Sequence, residues 1–430
     1  MATIEAQIYE EHARQASFLW LLRDRAVRDH AYDLSDLCEL DDRLDAHLDG
    51  LRLAGEAGWQ ACRDLLARAE EGEVFGAAVL ALELWDLKGL ARVLDVGGSA
   101  PDLARGLASA LGWTSLDRLE KLLPGLLSQR ASPPLTWLGI TGCAVHRHDP
   151  GPALGYAILS ANARVRARGL RAAGELGRSD LLPEIRDALT ADDDGCRFWA
   201  AWSAALLGED AAARVLWDFA QGSGPYAERA ATMAMRRVDP ASAYSWIHAL
   251  ATRARDPRVP IVSAGALGDP ALVPWLLENM RVPELARLAA GSWSLITGID
   301  LESEKLTARP PPGFQSGPTD DPDDEDVSMD PDDSLPWPDA QAVATFWRAR
   351  EGELSRGTRY LLGRPMAPAW LREVLRHGRQ PARAAAALEL AASARGGPLF
   401  EVRAPGFVQR EAQTPPQSGR AGNVLTSKGA

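Results

Sequence analysis

Apolar residues along this chain recur at helical spacing, and the helices they predict themselves recur. Ala-rich amphipathic stretches end on a large apolar residue at Leu84, Leu111, Val145, Leu176, Leu207, Val238, Leu267 and Ile296, at intervals of 27, 34, 31, 31, 31, 29 and 29 residues. Within Val165 to Leu176, for example, Val165, Leu170, Ala173 and Leu176 approximate one helix face. Each of the first seven is followed by a few small or polar residues and a second apolar stretch, such as Leu181 to Leu189. Asp149-Pro150, Asp239-Pro240 and Asp269-Pro270 stand just before second stretches. Aspartate predicts an N-cap there, and proline the first helical position, where no N–H donor is needed. Period-two alternation is absent, so each unit reads as helix, turn, helix. One such unit cannot bury its apolar face alone, but stacked units share a continuous core, and the predicted fold is an all-α solenoid.

The pattern changes at both ends. Residues 1–72 carry long helical stripes, among them Leu34, Leu37, Leu40, Leu44 and Leu48, and predict a helical N-terminal cap over the open end of the array. Residues 73–300 form the repeat array. Residues 301–339 are Pro-rich and acidic and predict a largely irregular insertion; helical patterning returns over 340–410 as a C-terminal cap, and 411–430 read as a disordered tail.

Val165 to Ala188 and Val259 to Leu277 resemble HEAT-type repeats of the short bacterial kind. Four stretches, Glu10 to Leu22, Asp149 to Ala153, Gly317 to Asp326 and Gly357 to Arg364, together resemble an uncharacterised family of proteobacterial HEAT-repeat proteins, some encoded near type VI secretion components. The resemblance implies a solenoid whose second helices line a concave groove, and a shape more than a role.

Composition sharpens this picture locally. The chain has 430 residues and a net charge of −12, but nine acidic and no basic residues lie between Asp320 and Asp333, which leaves −3 for everything else. The acidic balance argues against a nucleic-acid partner. The start lacks the basic and apolar segments of a signal peptide, and no uncharged apolar run reaches the length of a membrane span, so the expectation is a cytoplasmic protein without a membrane partner. Cys38, Cys62, Cys143 and Cys196 are spaced as buried free thiols rather than as metal or redox pairs.

Candidate chemistry is sparse. Cys143, His146, His148 and Asp149 form the densest cluster, but at a turn where the two histidines diverge, and a solvated turn is the simpler reading. Asp321, Asp323, Glu325 and Asp332 match positions 1, 3, 5 and 12 of a calcium loop, yet position 6 is Asp326 instead of glycine and Pro322 and Pro331 restrict the backbone. Neither a metal nor another cofactor is expected. Trp217, Trp246 and Trp275 recur at 29-residue intervals in second stretches, as inter-repeat filler or as a ladder facing a partner. These tryptophans, together with Asp320, Asp321, Asp323, Asp324, Glu325 and Asp326 as an acidic docking segment, are the candidate partner-binding residues. The sequence thus points to a non-enzymatic protein-binding scaffold, and the family resemblance implies a tie to type VI secretion. The rival readings are an immunity-type inhibitor of a single toxin and a helper resembling the lyases that attach bilins.

Overall fold

The computed structural model describes residues 4–84, 86–319, 328–394 and 396–413. Three helices, α1 (Ile4–Ala26), α2 (Leu34–Ala54) and α3 (Glu56–Leu65), precede the array. First and second helices then alternate: α4 (Glu71–Glu83) with α5 (Leu87–Gly97), α6 (Pro101–Trp113) with α7 (Leu116–Leu126), α8 (Pro133–Val145) with α9 (Pro152–Ile158), and α10 (Ala163–Glu175) with α11 (Leu182–Asp187). The alternation continues with α12 (Asp194–Leu206) and α13 (Ala212–Ala220), α14 (Ala227–Ala234) and α15 (Pro240–Arg253), and α16 (Arg258–Leu267) and α17 (Val273–Asn279), and ends on α18 (Pro283–Thr297). Beyond the insertion come α19 (Ala340–Arg348), a two-residue strand pair β1 (Tyr360–Leu361) and β2 (Arg364–Pro365), then α20 (Pro368–His377), α21 (Gln380–Ser393) and α22 (Gly406–Gln413). The eight sequence anchors fall at or near the ends of the eight first helices.

Local chemistry sets these boundaries. Asp33 caps α2 in a reciprocal capping box with Asp36, and the predicted stripe Leu34, Leu37, Leu40, Leu44 and Leu48 is buried. Leu37, Leu44 and Leu48, at 0% exposure, each contribute roughly 1.5–3 kcal/mol of transfer free energy. Asp239 and Asp269 cap the helical turns that open on Pro240 and Pro270, as the dipeptides predict. Asp149 does not: α9 starts two residues later, on Gly151 and Pro152. Its carboxylate instead accepts the Gly151 amide at 2.9 Å and the Arg178 guanidinium at 2.6 Å. The short strand pair is a second departure, in the stretch between α19 and α20 where no strand was expected.

One apolar core runs from Ala13 in α1 through Leu267 in α16, and a second continues it through α18 and α19. First helices pack closely through small residues. Ser203 of α12 donates to the Leu170 carbonyl of α10 at 2.7 Å, and three array positions on, Ser292 of α18 donates to the Ile261 carbonyl of α16 at 3.1 Å. A Cβ on Gly174 would meet the Ser203 Oγ at 2.4 Å.

The C-terminal segment packs α19 against the last helices of the array and then, from Tyr360, turns back along it. The Tyr360 amide donates to the Gly268 carbonyl and the Leu362 amide to the Leu295 carbonyl; further on, the Leu399 amide donates to the Glu175 carbonyl and the Gly406 amide to Asp41 of α2. The Arg23 guanidinium of α1 donates to the Arg403 and Ala404 carbonyls, and the Gln380 amide to the Tyr32 carbonyl. Three left-handed glycines at first-helix ends admit this backbone: a Cβ on Gly177, Gly268 or Gly298 would come within 2.3, 2.3 and 2.6 Å of Gly396, Tyr360 and Leu362 main-chain atoms. Helix α22 crosses the expected boundary at 410, and residues 414–430 lie outside the described residues.

Candidate functional site

Residues near both ends of the array, Arg28 and Ile299, line one cavity together with Thr232, Val262 and Leu288 of the first helices. A face over which both ends bend is the concave one, so the concave side belongs to the first helices. This corrects the groove implied by the resemblance. The reason is visible in the packing: the Ala-rich first helices are covered on both sides, as in α12, where Ala200 to Leu206 are all buried. The second helices keep a polar outer face, as Arg214 and Asp218 do on α13.

Trp217 on α13, Trp246 on α15 and Trp275 on α17 therefore stand on the outer layer, all half-buried. The rings of Trp217 and Trp246 lie 4.6 Å apart at 35°, bridging two successive units. Trp275 packs where the two apolar cores meet, and its carbonyl accepts the Asn279 side chain at 2.8 Å. Each ring thus fills the seam between units while keeping an edge accessible to solvent.

Asp320, Asp321, Asp323, Asp324, Glu325 and Asp326 lie outside the described residues. The downstream part of the acidic run does not behave as a solvated, self-repelling loop. Asp332, 3% exposed, receives both Arg258 Nη atoms at 2.6 and 2.8 Å. Arg287 donates to the Asp332 carbonyl at 2.9 Å and to Asp330 at 2.6 Å, and its guanidinium lies 4.9 Å from the Trp337 ring and 5.6 Å from the Phe314 ring. Burial acts to raise the Asp330 pKa, but Arg287 and the Asp332 amide outweigh it and hold the carboxyl below its ordinary value. The base of the insertion is closed where the Ala308 amide donates to the Trp337 carbonyl and the Asp339 amide to the Leu306 carbonyl. With Asp332 held by Arg258, a calcium loop that needs it at position 12 loses its last ligand.

The Cys143 cluster does not converge. Cys143 is 0% exposed, and burial pushes its thiol up to about 12. The His146 Nε2 bonds the Leu111 carbonyl at 2.8 Å, and burial lowers that imidazole's pKa. His148 turns toward Glu120, at 3.7 Å, and Asp149 is engaged as described above. Cys38, Cys62 and Cys196 are also buried, with Cys62 pushed up to about 12 by burial. Among the described residues no group of three or more His, Cys, Asp or Glu side chains is arranged to hold a metal ion, and no helix is long and apolar enough to cross a membrane.

Sequence reasoning missed the arginines of the concave side. Arg171 and Arg229 flank the Trp199 ring at 4.5 and 5.4 Å. Arg403 reaches Asp24 at 2.9 Å from the returning segment, and Arg28 bonds the same carboxylate. The only available signal was arginine on first helices, and a solvated helix face gives the same signal.

Comparison with curated proteins and with solved structures finds no match. Residues 152–236, from α9 through α14, match the family model described as HEAT repeats. With 22 α-helices among the described residues and a single two-residue strand pair, the chain is an α-solenoid of two-helix repeats, of which residues 152–236 match HEAT repeats.

Proposed function

We propose that the protein is a non-enzymatic protein-binding scaffold whose partner contacts the outer layer around Trp217, Trp246 and Trp275, with the acidic residues 320–326 as a second contact. HEAT repeats commonly serve protein interaction, which supports the general class. The observation that carries the reading is the Trp217–Trp246 pair: two large rings at 4.6 Å, rigid across a repeat seam and half-exposed. Tryptophan held in place by packing supplies contact area at little entropic cost, the usual make-up of an interface hot spot. The concave side is a poorer candidate because the chain's own C-terminal segment covers it. The family resemblance directs the search for the partner to type VI secretion components.

The test is affinity capture from the native host with three tagged forms: wild type, Trp217→Ala with Trp246→Ala, and Asp/Glu→Asn/Gln at the six acidic positions of 320–326. Circular dichroism verifies that each variant keeps its helical content. A specific protein recovered with wild type and depleted by either set supports the scaffold. Equal recovery with all three forms removes both surfaces from consideration.

A further inference from the structure

Helix α1 has two apolar faces. Ala13, Ala16, Leu19 and Trp20 are buried and pack it onto the array. The other face carries Ile4, Ile8, Phe18, Leu21 and Leu22, between 37% and 78% exposed. These are five of the twelve large apolar side chains left exposed among the described residues, so the surplus is concentrated on one element. At about 100° per residue, Ile4, Ile8, Glu11, Gln15, Phe18 and Leu22 fall in one stripe about 80° wide.

This stripe is palindromic. Reversed about Ala13, Ile4 exchanges with Leu22, Ile8 with Phe18 and Glu11 with Gln15. In either direction it runs apolar, apolar, polar, polar, apolar, apolar. A surface of that kind is complementary to itself turned end for end, which is what a two-fold axis across the helix produces. Ile8 and Phe18 stand on opposite edges of the stripe, so in an antiparallel pair they lie side by side in one layer instead of colliding.

Charge selects the same orientation. The exposed acids Glu5, Glu10 and Glu11 occupy the first half of α1, and the exposed Arg14 and Arg25 the second. An antiparallel pair sets these halves against each other, whereas a parallel pair sets like against like. Within one chain Arg14 approaches Glu10 at 3.5 Å and Glu11 at 3.6 Å, and Gln15 donates to Glu11 at 2.8 Å. A two-fold axis at Ala13 brings the Arg14 of a second copy within one residue's rise of Glu11, about 1.5 Å along the helix and on the same side of the seam.

We propose that α1 is a homodimerisation surface, against which a second copy of this chain packs its own α1 antiparallel about a two-fold axis at Ala13. A membrane fits this face less well, because helices that lie among lipid headgroups border their apolar side with basic residues, and here Glu10 and Glu11 stand there. One helix pair about 35 Å long buries less surface than a permanent interface, so the association is weak and reversible.

Sedimentation equilibrium of the full chain from about 1 to about 200 µM tests this, with an expected monomer–dimer dissociation constant of about 10–100 µM. Phe18→Asp acts twice in a symmetric pair and should weaken the dimer by about tenfold or more, with helical content unchanged. Should Phe18→Asp unfold, Ile8→Asp disrupts the same layer from its other side. Glu11→Arg and Arg14→Glu should each dimerise about threefold more weakly than wild type. An equimolar mixture of the two should associate better than either alone, because mixing restores both cross pairs. A chain that stays monomeric throughout the range, a dimer untouched by Phe18→Asp and Ile8→Asp, or charge variants that gain nothing on mixing would each overturn the proposal. So would a monomer that cosediments with phosphatidylglycerol vesicles through Phe18, which would make the face a membrane contact.

Discussion

The concave side of the array carries two groups of arginines that differ in a single respect, the supply of carboxylates. Arg258 and Arg287 meet Asp332 and Asp330, with Glu228 at 3.3 Å from Arg258 besides. There the acidic run folds down, and an aromatic pair, Phe314 and Trp337, covers Arg287. Around Arg229 the same residue type is crowded without enough partners. The first group behaves as a latch: buried charge offset by buried charge, holding a loop against two first helices. In the second, Arg229 is left in an unfavourable field, which folding tolerates because solvent still reaches it. The difference teaches that arginine content says little about role; what decides is whether the fold delivers carboxylates to the same place.

The largest expected effect comes from taking a carboxylate out of the poorer group. Glu175 is 3% exposed and serves Arg168 and Arg171 at 3.0 and 2.8 Å. Glu175→Gln leaves the buried Arg168 without its carboxylate and should cost about 3–5 kcal/mol in urea unfolding. Burial alone would raise the Glu175 pKa, yet Arg168, Arg171 and Arg147 outweigh it and bring it to about 2. A carboxyl depressed in the folded state stabilises above its unfolded pKa and loses that contribution as pH falls through the folded one. Wild type should therefore lose stability relative to Glu175→Gln between about pH 4.5 and about pH 2. Parallel unfolding curves over that range would show that Glu175 is not held this way.

Next in size is a contrast between neighbours. Asp332 and Asp333 are adjacent, but their side chains are 4% and 64% exposed, and Asp333 pairs with Arg25, itself 49% exposed, at 3.2 Å. Asp332→Asn should cost about 3 kcal/mol because it weakens a buried bidentate pair, and should increase proteolysis of the insertion. Asp333→Asn should cost less than about 1 kcal/mol. Similar losses for both would mean that the run is held by its backbone and not by the Arg258 pair.

That contrast also marks how far the sequence could be read. The first-helix anchors were legible because Ala-rich helices recur at intervals of about thirty residues, and the stripe of α2 because Leu34, Leu37, Leu40, Leu44 and Leu48 face one way. Asp332 and Asp333 look alike in the sequence; their fates are set by Arg258, 74 positions away in one case, and by Arg25, 308 positions away in the other. The returning C-terminal segment left glycines at 177, 268 and 298, but glycine there is also the ordinary helix stop, so the signal was ambiguous. The concave assignment could have been read differently: Ala172, Ala173 and Gly174 leave α10 small on adjoining faces, as a helix covered on both sides requires, whereas α13 alternates large apolar and charged residues. The Trp217–Trp246 contact was foreshadowed by their 29-residue spacing, though spacing does not say which layer carries it.

The smallest expected effect is the most telling for the second group. Arg229→Gln removes a guanidinium from the face of Trp199, an interaction worth about 0.5–1 kcal/mol at an exposed site. It also removes repulsion from Arg28, Arg171 and Arg403, which acts in the opposite direction. The two should nearly cancel, leaving stability within about 0.5 kcal/mol of wild type at low salt. Salt then separates them. Repulsion between charges that solvent reaches is screened over about 10 Å at 0.1 M ionic strength, whereas a ring contact is much less affected. Raising sodium chloride from low to moderate concentration should therefore stabilise wild type more than Arg229→Gln, as read from urea midpoints at each salt. A variant that loses more than about 1 kcal/mol at low salt, with no salt dependence of the difference, would make Arg229 a packing residue and the two arginine groups alike.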